Sequence, residues 1–140
     1  MASIHHEATI DVSAGEAWAR LRQVDQAHTL FAPVLVDGAF DRDAQTRTVR
    51  FANGMVVQER ILDVDDGRRR VAYTAVGGTP MTYHHASMQI IEDGPTRCRF
   101  VWVSDFLPAE FGAGMGPLVE AGSRALKANL EGLSESARGH

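Results

Sequence analysis

The chain has little that would brace it covalently or hold it in a membrane. Cys98 is the single cysteine among 140 residues, which excludes an internal disulfide and favours a cytoplasmic protein. No apolar run approaches the roughly 20 residues of a membrane span, and no apolar segment of a signal peptide is visible. The net charge of −4 disfavours nucleic acid or an anionic membrane as the main partner.

Metal and cofactor patterns are also missing. The pairs His5-His6 and His84-His85 are adjacent, so on a strand their side chains point to opposite faces, and no histidine pair has the helical spacing of zinc enzymes. The sequence contains neither a phosphate-binding glycine loop nor a Gly-x-Ser-x-Gly nucleophile motif. We therefore expect no metal and no cofactor.

What is present is the material for one globular core. Apolar residues make up 44% of the chain and charged residues 23%. A chain of this length buries roughly two-thirds of the surface that its unfolded form exposes. Residues 1–140 are therefore predicted to form a single domain.

Hydrophobic periodicity predicts one strand, two short helices, six further strands and one long helix. Residues 3–12 alternate as a strand, Ser13 and Glu16 fit a capping box before the first helix, and 26–31 form the second. Further strands are predicted over 34–40, 45–51, 55–64, 69–76, 82–91 and 97–106. Their short joins, such as Asn53-Gly54, imply antiparallel pairing. Residues 109–133 follow as an amphipathic helix. The fold class is α+β, with a curved antiparallel sheet of about seven strands wrapped on the C-terminal helix.

This order of elements and several motifs resemble the START/Bet v 1-like (SRPBCC) superfamily, known as the helix-grip fold, and its polyketide cyclase/dehydrase-like group. The motifs are Ile10-Asp11-Val12-Ser13-Ala14-Gly15-Glu16-Ala17-Trp18, Phe31-Ala32-Pro33, Gly77-Gly78-Thr79-Pro80, Phe100-Val101-Trp102 and Phe106-Leu107-Pro108. The resemblance implies an internal cavity for a small hydrophobic or aromatic molecule. It allows a cyclase, aromatase or dehydratase, a non-catalytic lipid or small-molecule carrier or sensor, and a chaperone-activator-type protein-binding module. The protein is expected to be a monomer or a homodimer.

Glu59 is the polar residue that strand alternation singles out. It shares a face with Met55, Val57 and Ile61, so it is predicted to face the interior. A buried carboxylate must be paired, hydrogen-bonded or protonated. The alternatives are a purely structural network and a shifted register that leaves Glu59 in water.

Two faces compete for the interior in the strand over 82–91. Met88 and Ile90 favour the face that also carries His84 and Ala86. The stretch from Glu59 to Arg69 resembles the plant abscisic acid receptors, in which the matching tyrosine faces the ligand, and this favours the face of Tyr83, His85 and Ser87. We adopt the second face. Those receptors hold the hormone carboxylate with a lysine where Phe31 stands here, so the hormone itself is not expected.

The predicted site combines polar anchors with an apolar wall. Glu59, Tyr83 and His85 are the catalytic candidates. His85 or Glu59 would act as general base, and Tyr73 or Tyr83 would hold an enolate oxygen. The other expected ligand contacts are Phe31, Val57, Tyr73, Ser87, Phe100, Trp102, Met115, Leu118, Gly122, Ala125 and Asn129. Simple binding without catalysis stays open.

Overall fold

The computed structural model describes the backbone of residues 2–138 and the side chains of residues 2–133. Strand β1 (Ala2–Ile10) is followed by helix α1 (Ala14–Leu21), a 3₁₀ turn (Val24–Gln26) and the short helix α2 (Ala27–Leu30). The sheet continues with β2 (Leu35–Asp41), β3 (Thr46–Phe51), β4 (Val56–Asp65), β5 (Arg70–Gly77), β6 (Tyr83–Glu92) and β7 (Cys98–Leu107). A 3₁₀ turn (Ala109–Phe111) leads into α3 (Gly112–Arg138). The predicted order of elements and the fold class are confirmed.

All seven strands belong to one antiparallel sheet in the order β1-β7-β6-β5-β4-β3-β2. Strand β1 therefore pairs with β7, the most distant strand in sequence, through partners such as Ile10 and Cys98. Register shifts interrupt β2 once and β4 twice, and those in β4 lie on either side of Glu59. Because bulges bend and twist a strand, they help the sheet to curl around α3.

Helix α1 begins where the sequence predicts. The Ser13 hydroxyl oxygen accepts from the backbone N–H of Glu16 at 3.2 Å. One face of α1 is buried, and Trp18 on that face donates its Nε1–H to Asp66 Oδ1 at 2.9 Å. This bond ties α1 to the turn between β4 and β5.

The two halves of α3 are held differently. In the C-terminal half, Lys127 donates to the carbonyl of Thr9 at 2.9 Å, and Asn129 Nδ2 donates to the carbonyls of Leu30 and Ala32 at 2.7 and 2.9 Å. Leu126 and Leu130 of the same half are buried. The N-terminal half has Gly112, Gly114, Gly116 and Pro117 in its first turns. Within residues 2–138, no helix combines the length and the apolarity that crossing a bilayer requires.

Candidate functional site

A cavity of about 340 Å³ lies between the concave face of the sheet and the N-terminal half of α3. Its volume falls in the range of small-molecule sites in proteins. Most of its wall is apolar. It comes from α2 and the loop after it, from the six strands β2 to β7 and from α3, and includes Ala27, Phe31, Val34, Leu35, Val49, Val57, Ala75, Met88, Trp102, Met115, Leu118, Val119 and Gly122. The arrangement suits the apolar body of a guest molecule.

The cavity opens at one end of the sheet, and we call this opening the mouth. Four lining residues are exposed there, namely Asn53, Met55, Pro80 and Gly114. They come from the β3–β4 turn, the β5–β6 loop and the start of α3. Gly78 in the β5–β6 loop has a φ of +82°, and a Cβ on it would lie 2.1 Å from the carbonyl oxygen of Val56. Only glycine fits at this position.

The polar lining within the cavity consists of Arg47, Glu59, Tyr73, His84 and Ser104, which we call the polar end. Arg47 and Glu59 are cross-strand partners on β3 and β4. Arg47 Nε lies 2.8 Å from Glu59 Oε1, and the two side chains are 8% and 14% exposed. Arg47 also donates to the carbonyl of Val24 at 3.2 Å, and its guanidinium carbon lies 4.9 Å from the ring centre of Tyr73. A largely desolvated ion pair therefore lies against the ring of Tyr73.

Tyr73 presents a neutral hydroxyl at the polar end. Its oxygen accepts from Trp102 Nε1 at 3.1 Å, so its own hydrogen is free to be donated elsewhere. Burial, and next the nearby charge of Glu59, raise the pKa of Tyr73 far above its usual value. The phenol consequently stays protonated and can act as a donor.

His84 is the second uncharged group of the polar end. Its Nδ1 accepts from the backbone N–H of Ala75 at 2.9 Å, and its Nε2 lies 3.5 Å from Ser104 Oγ. Burial lowers the pKa of His84, and this effect outweighs the nearby charge of Glu59, which acts in the opposite direction. The folded protein therefore favours neutral imidazole.

The predicted orientation of β6 is wrong. His84, Ala86, Met88 and Ile90 face the interior, whereas Tyr83 is 43% exposed and His85 and Ser87 share its outer face. Alternation moves a whole strand together, so burying the apolar side chains fixes the direction of the rest. Tyr83, His85 and Ser87 do not line the cavity. The apolar residues Ala86, Met88 and Ile90 indicated the buried face of β6 correctly.

The other predicted contacts divide into two groups. Glu59 lines the cavity on the expected face, together with seven predicted contacts: Phe31, Val57, Tyr73, Trp102, Met115, Leu118 and Gly122. Phe100 and Ala125 are buried without lining the cavity. Asn129 donates to the backbone carbonyls of Leu30, the last residue of α2, and of Ala32. These three predicted contacts therefore do not line the cavity.

Sequence reasoning missed Arg47, His84 and Met88 as lining residues. The alternation of apolar side chains along β6 would have identified His84 and Met88. Arginine is seldom buried, and no local sequence pattern indicates which residue lies opposite on the next strand. The position of Arg47 in the cavity therefore could not be predicted. Among the side chains of residues 2–133, no three or more His, Cys, Asp or Glu residues are grouped as metal ligands.

A curled antiparallel sheet that closes on a C-terminal helix around an apolar cavity defines the Bet v 1-like, helix-grip class of proteins. The chain belongs to the polyketide cyclase/dehydrase and lipid transport family, whose model matches residues 1–138. No curated protein matches the sequence.

Solved structures with the same fold come from bacteria and plants. The protein XoxI from Bacillus cereus has a TM-score of 0.83 and 18% identity, over 96% of this chain and 99% of that one. Norcoclaurine synthase from Thalictrum flavum, in complex with dopamine and hydroxybenzaldehyde, has a TM-score of 0.76 and 18% identity, over 96% and 87% of the two chains. A Thermobifida fusca protein has a TM-score of 0.73 and 22% identity, over 93% of each chain. At these identities the likeness establishes the fold alone.

Proposed function

We propose that this protein binds a small hydrophobic or aromatic molecule inside the cavity, with the apolar body against the wall and one polar group at the polar end. The observation that carries the proposal is that one cavity combines an apolar wall with a compact group of polar side chains. A buried ion pair is no more stabilising than well-packed apolar residues of similar size. Arg47 and Glu59 beside an unfilled apolar volume are therefore better explained by ligand orientation than by stability.

The comparisons support a guest of this size and kind. The family description includes both polyketide cyclases and lipid transport. Norcoclaurine synthase, which shares the fold, holds dopamine and hydroxybenzaldehyde, two small aromatic molecules. A guest of similar size is compatible with a volume of about 340 Å³.

Acid–base catalysis is the second candidate, and the neighbouring Glu59 and Tyr73 favour it. Glu59 would take a proton from the carbon next to a ligand carbonyl. The electron pair of that C–H bond would form the enolate, and the Tyr73 hydroxyl would donate a hydrogen bond to the enolate oxygen. The Glu59 carboxylate already contacts Arg47 at 2.8 Å and is therefore engaged before any ligand arrives, which is why binding stands first.

Binding can be tested with the fluorescent apolar probe N-phenyl-1-naphthylamine. We expect saturable binding to a single site. Ala75→Leu, which places a larger side chain in the cavity, should abolish it, whereas Val76→Leu on the outer face of the same strand should not. Equal binding by the two variants would place the probe elsewhere and contradict the proposal. Native mass spectrometry of protein purified from its own host would then identify a retained molecule.

Catalysis can be tested separately with candidate ketones. Glu59→Gln keeps the shape of the side chain and removes the base. We expect it to abolish proton exchange at the carbon next to the carbonyl while the fold is retained. Unchanged exchange would leave binding as the function.

A further inference from the structure

We propose that His84 is a fixed hydrogen-bond donor that selects guest molecules with an uncharged acceptor oxygen, such as an aromatic ketone or aldehyde, over amines. This inference rests on the proposed binding function. It assigns the direction of a hydrogen bond and hence the chemical class of the ligand's polar group.

The ring of His84 is built into the hydrogen bonding of the sheet. The regular ladder between β5 and β6 ends at the pair Tyr73 and Ala86. Beyond that pair, the ring replaces the missing backbone partner, since its Nδ1 accepts from Ala75 N–H at 2.9 Å. The Thr74 hydroxyl donates to the carbonyl of His84. These contacts on β5 fix the position of the imidazole before any guest arrives.

The same contact fixes the tautomer. A backbone N–H is always a donor, so the nitrogen facing it must carry a lone pair. In neutral imidazole the proton then belongs to Nε2. The distance from Nε2 to Ser104 Oγ is 3.5 Å, which is beyond the usual length of a hydrogen bond. The Nε2–H is therefore still available, and both residues line the cavity.

The charges around the polar end disfavour a cationic guest. Glu59 contacts Arg47 at 2.8 Å, so its charge is already balanced. The Arg47 guanidinium lies 4.9 Å from the centre of the Tyr73 ring. An ammonium group here would meet a neighbouring cation and two donor hydrogens, those of Tyr73 and His84. A carbonyl oxygen would instead accept the Nε2–H of His84.

Three ligands of nearly the same shape test this on the unaltered protein: 2-acetonaphthone, 2-isopropenylnaphthalene and 1-(2-naphthyl)ethylamine. Calorimetry should give about 5- to 10-fold tighter binding of the ketone than of the alkene, the ratio expected for one hydrogen bond. The amine should bind more weakly than either. Equal affinity for ketone and alkene, or tighter binding of the amine, would overturn the inference and leave the proposed binding function intact. If the apolar probe also fails to bind, the proposed binding function is wrong, and the inference about His84 is wrong as well.

Variants and spectroscopy test the residue itself. In His84→Phe the preference for the ketone should fall to about 1-fold, while His84→Gln, which can still accept and donate, should keep part of it. His85→Phe on the outer face is the matched control and should change nothing. If His84→Phe does not fold, nitrogen NMR of labelled histidine in the unaltered protein still decides. A proton on Nδ1 of His84, or a Nε2–H signal that does not move when the ketone is added, contradicts the inference.

Discussion

Arg47 and Glu59 illustrate how a single buried pair shapes the interior of the protein. Each side chain is largely withdrawn from water, and each neutralises the other at 2.8 Å. Removing one partner of such a pair leaves a charge that neither solvent nor protein compensates. The consequence should be measurable as a loss of stability.

We expect Arg47→Met to lower the free energy of unfolding by about 3–5 kcal/mol, because Glu59 is then buried without its partner. The double variant Arg47→Met with Glu59→Leu should recover most of that loss. Urea denaturation measures both. Arg68→Ala breaks an exposed pair with Asp65 and should cost less than about 1 kcal/mol. A loss for Arg47→Met no larger than that for Arg68→Ala would contradict the assignment of a desolvated pair.

His84 should give stability a pH dependence of predictable sign. Burial lowers its pKa in the folded protein, whereas the unfolded chain has the ordinary value near 6.5. The contribution of neutral His84 to the free energy of unfolding is therefore complete above about pH 6.5. It is lost as pH falls from there through the folded pKa, because the unfolded state binds more protons.

Thermal unfolding measured between about pH 7.5 and pH 5 should show this decline in the unaltered protein and a flatter profile in His84→Gln. Asp65 and Asp66 also have lowered pKa values in the folded state, through contacts with Arg68 and Arg22 respectively. Their contributions are lost only at more acidic pH, near or below their ordinary value of about 3.9. Identical profiles for the two proteins would show that His84 is not held neutral by the fold.

Individual residues also show what a single sequence can reveal. Alternation gave the direction of Glu59, because three apolar neighbours share its face. The same reasoning would have placed His84 inward, but the resemblance to hormone receptors outweighed it and led to His85. Arg47 could not be predicted, since its burial depends on a partner one strand away.

At the scale of elements, α3 combines a weak beginning with a firmly held end. Three glycines and Pro117 stand in its first turns, and Pro117 cannot donate the backbone hydrogen bond that its position requires. The later turns are fixed by Lys127 and Asn129. We therefore expect the part of the helix that lines the mouth to open more easily than the rest.

Gly114→Ala and Gly132→Ala separate helix stability from motion at the mouth. A Cβ at either position meets no atom within 4 Å. Each substitution should raise the free energy of unfolding by about 0.5–1 kcal/mol, the usual gain over glycine inside a helix. Only Gly114→Ala should slow association of the apolar probe in stopped-flow fluorescence, because only Gly114 lies at the mouth. Equal association rates for both variants would show that the start of α3 does not control access.

For the molecule as a whole, local sequence patterns were enough to predict the order of helices and strands. The shape of the interior depends on pairing between strands that are distant in sequence. Turn formers and periodicity were sufficient for seven strands and a final helix. The pairing of β1 with β7 and the bulges on either side of Glu59 depend on residues far apart in sequence. The cavity and the composition of its polar end follow from those features, so only their general position could be predicted.

A protein with an internal cavity is less stable than it would be if additional side-chain atoms filled that space. Substitutions that fill a cavity commonly raise the free energy of unfolding by about 0.5–2 kcal/mol, and they often reduce the activity of the protein. Ala75→Leu should therefore raise the free energy of unfolding while it removes probe binding. Val76→Leu, at a position 45% exposed on the outer face, should stay within about 0.5 kcal/mol of the parent. Urea denaturation of the two variants decides the matter: a marked loss of stability in Ala75→Leu would mean that the interior has no room to fill, since overpacking forces neighbouring side chains out of their preferred rotamers.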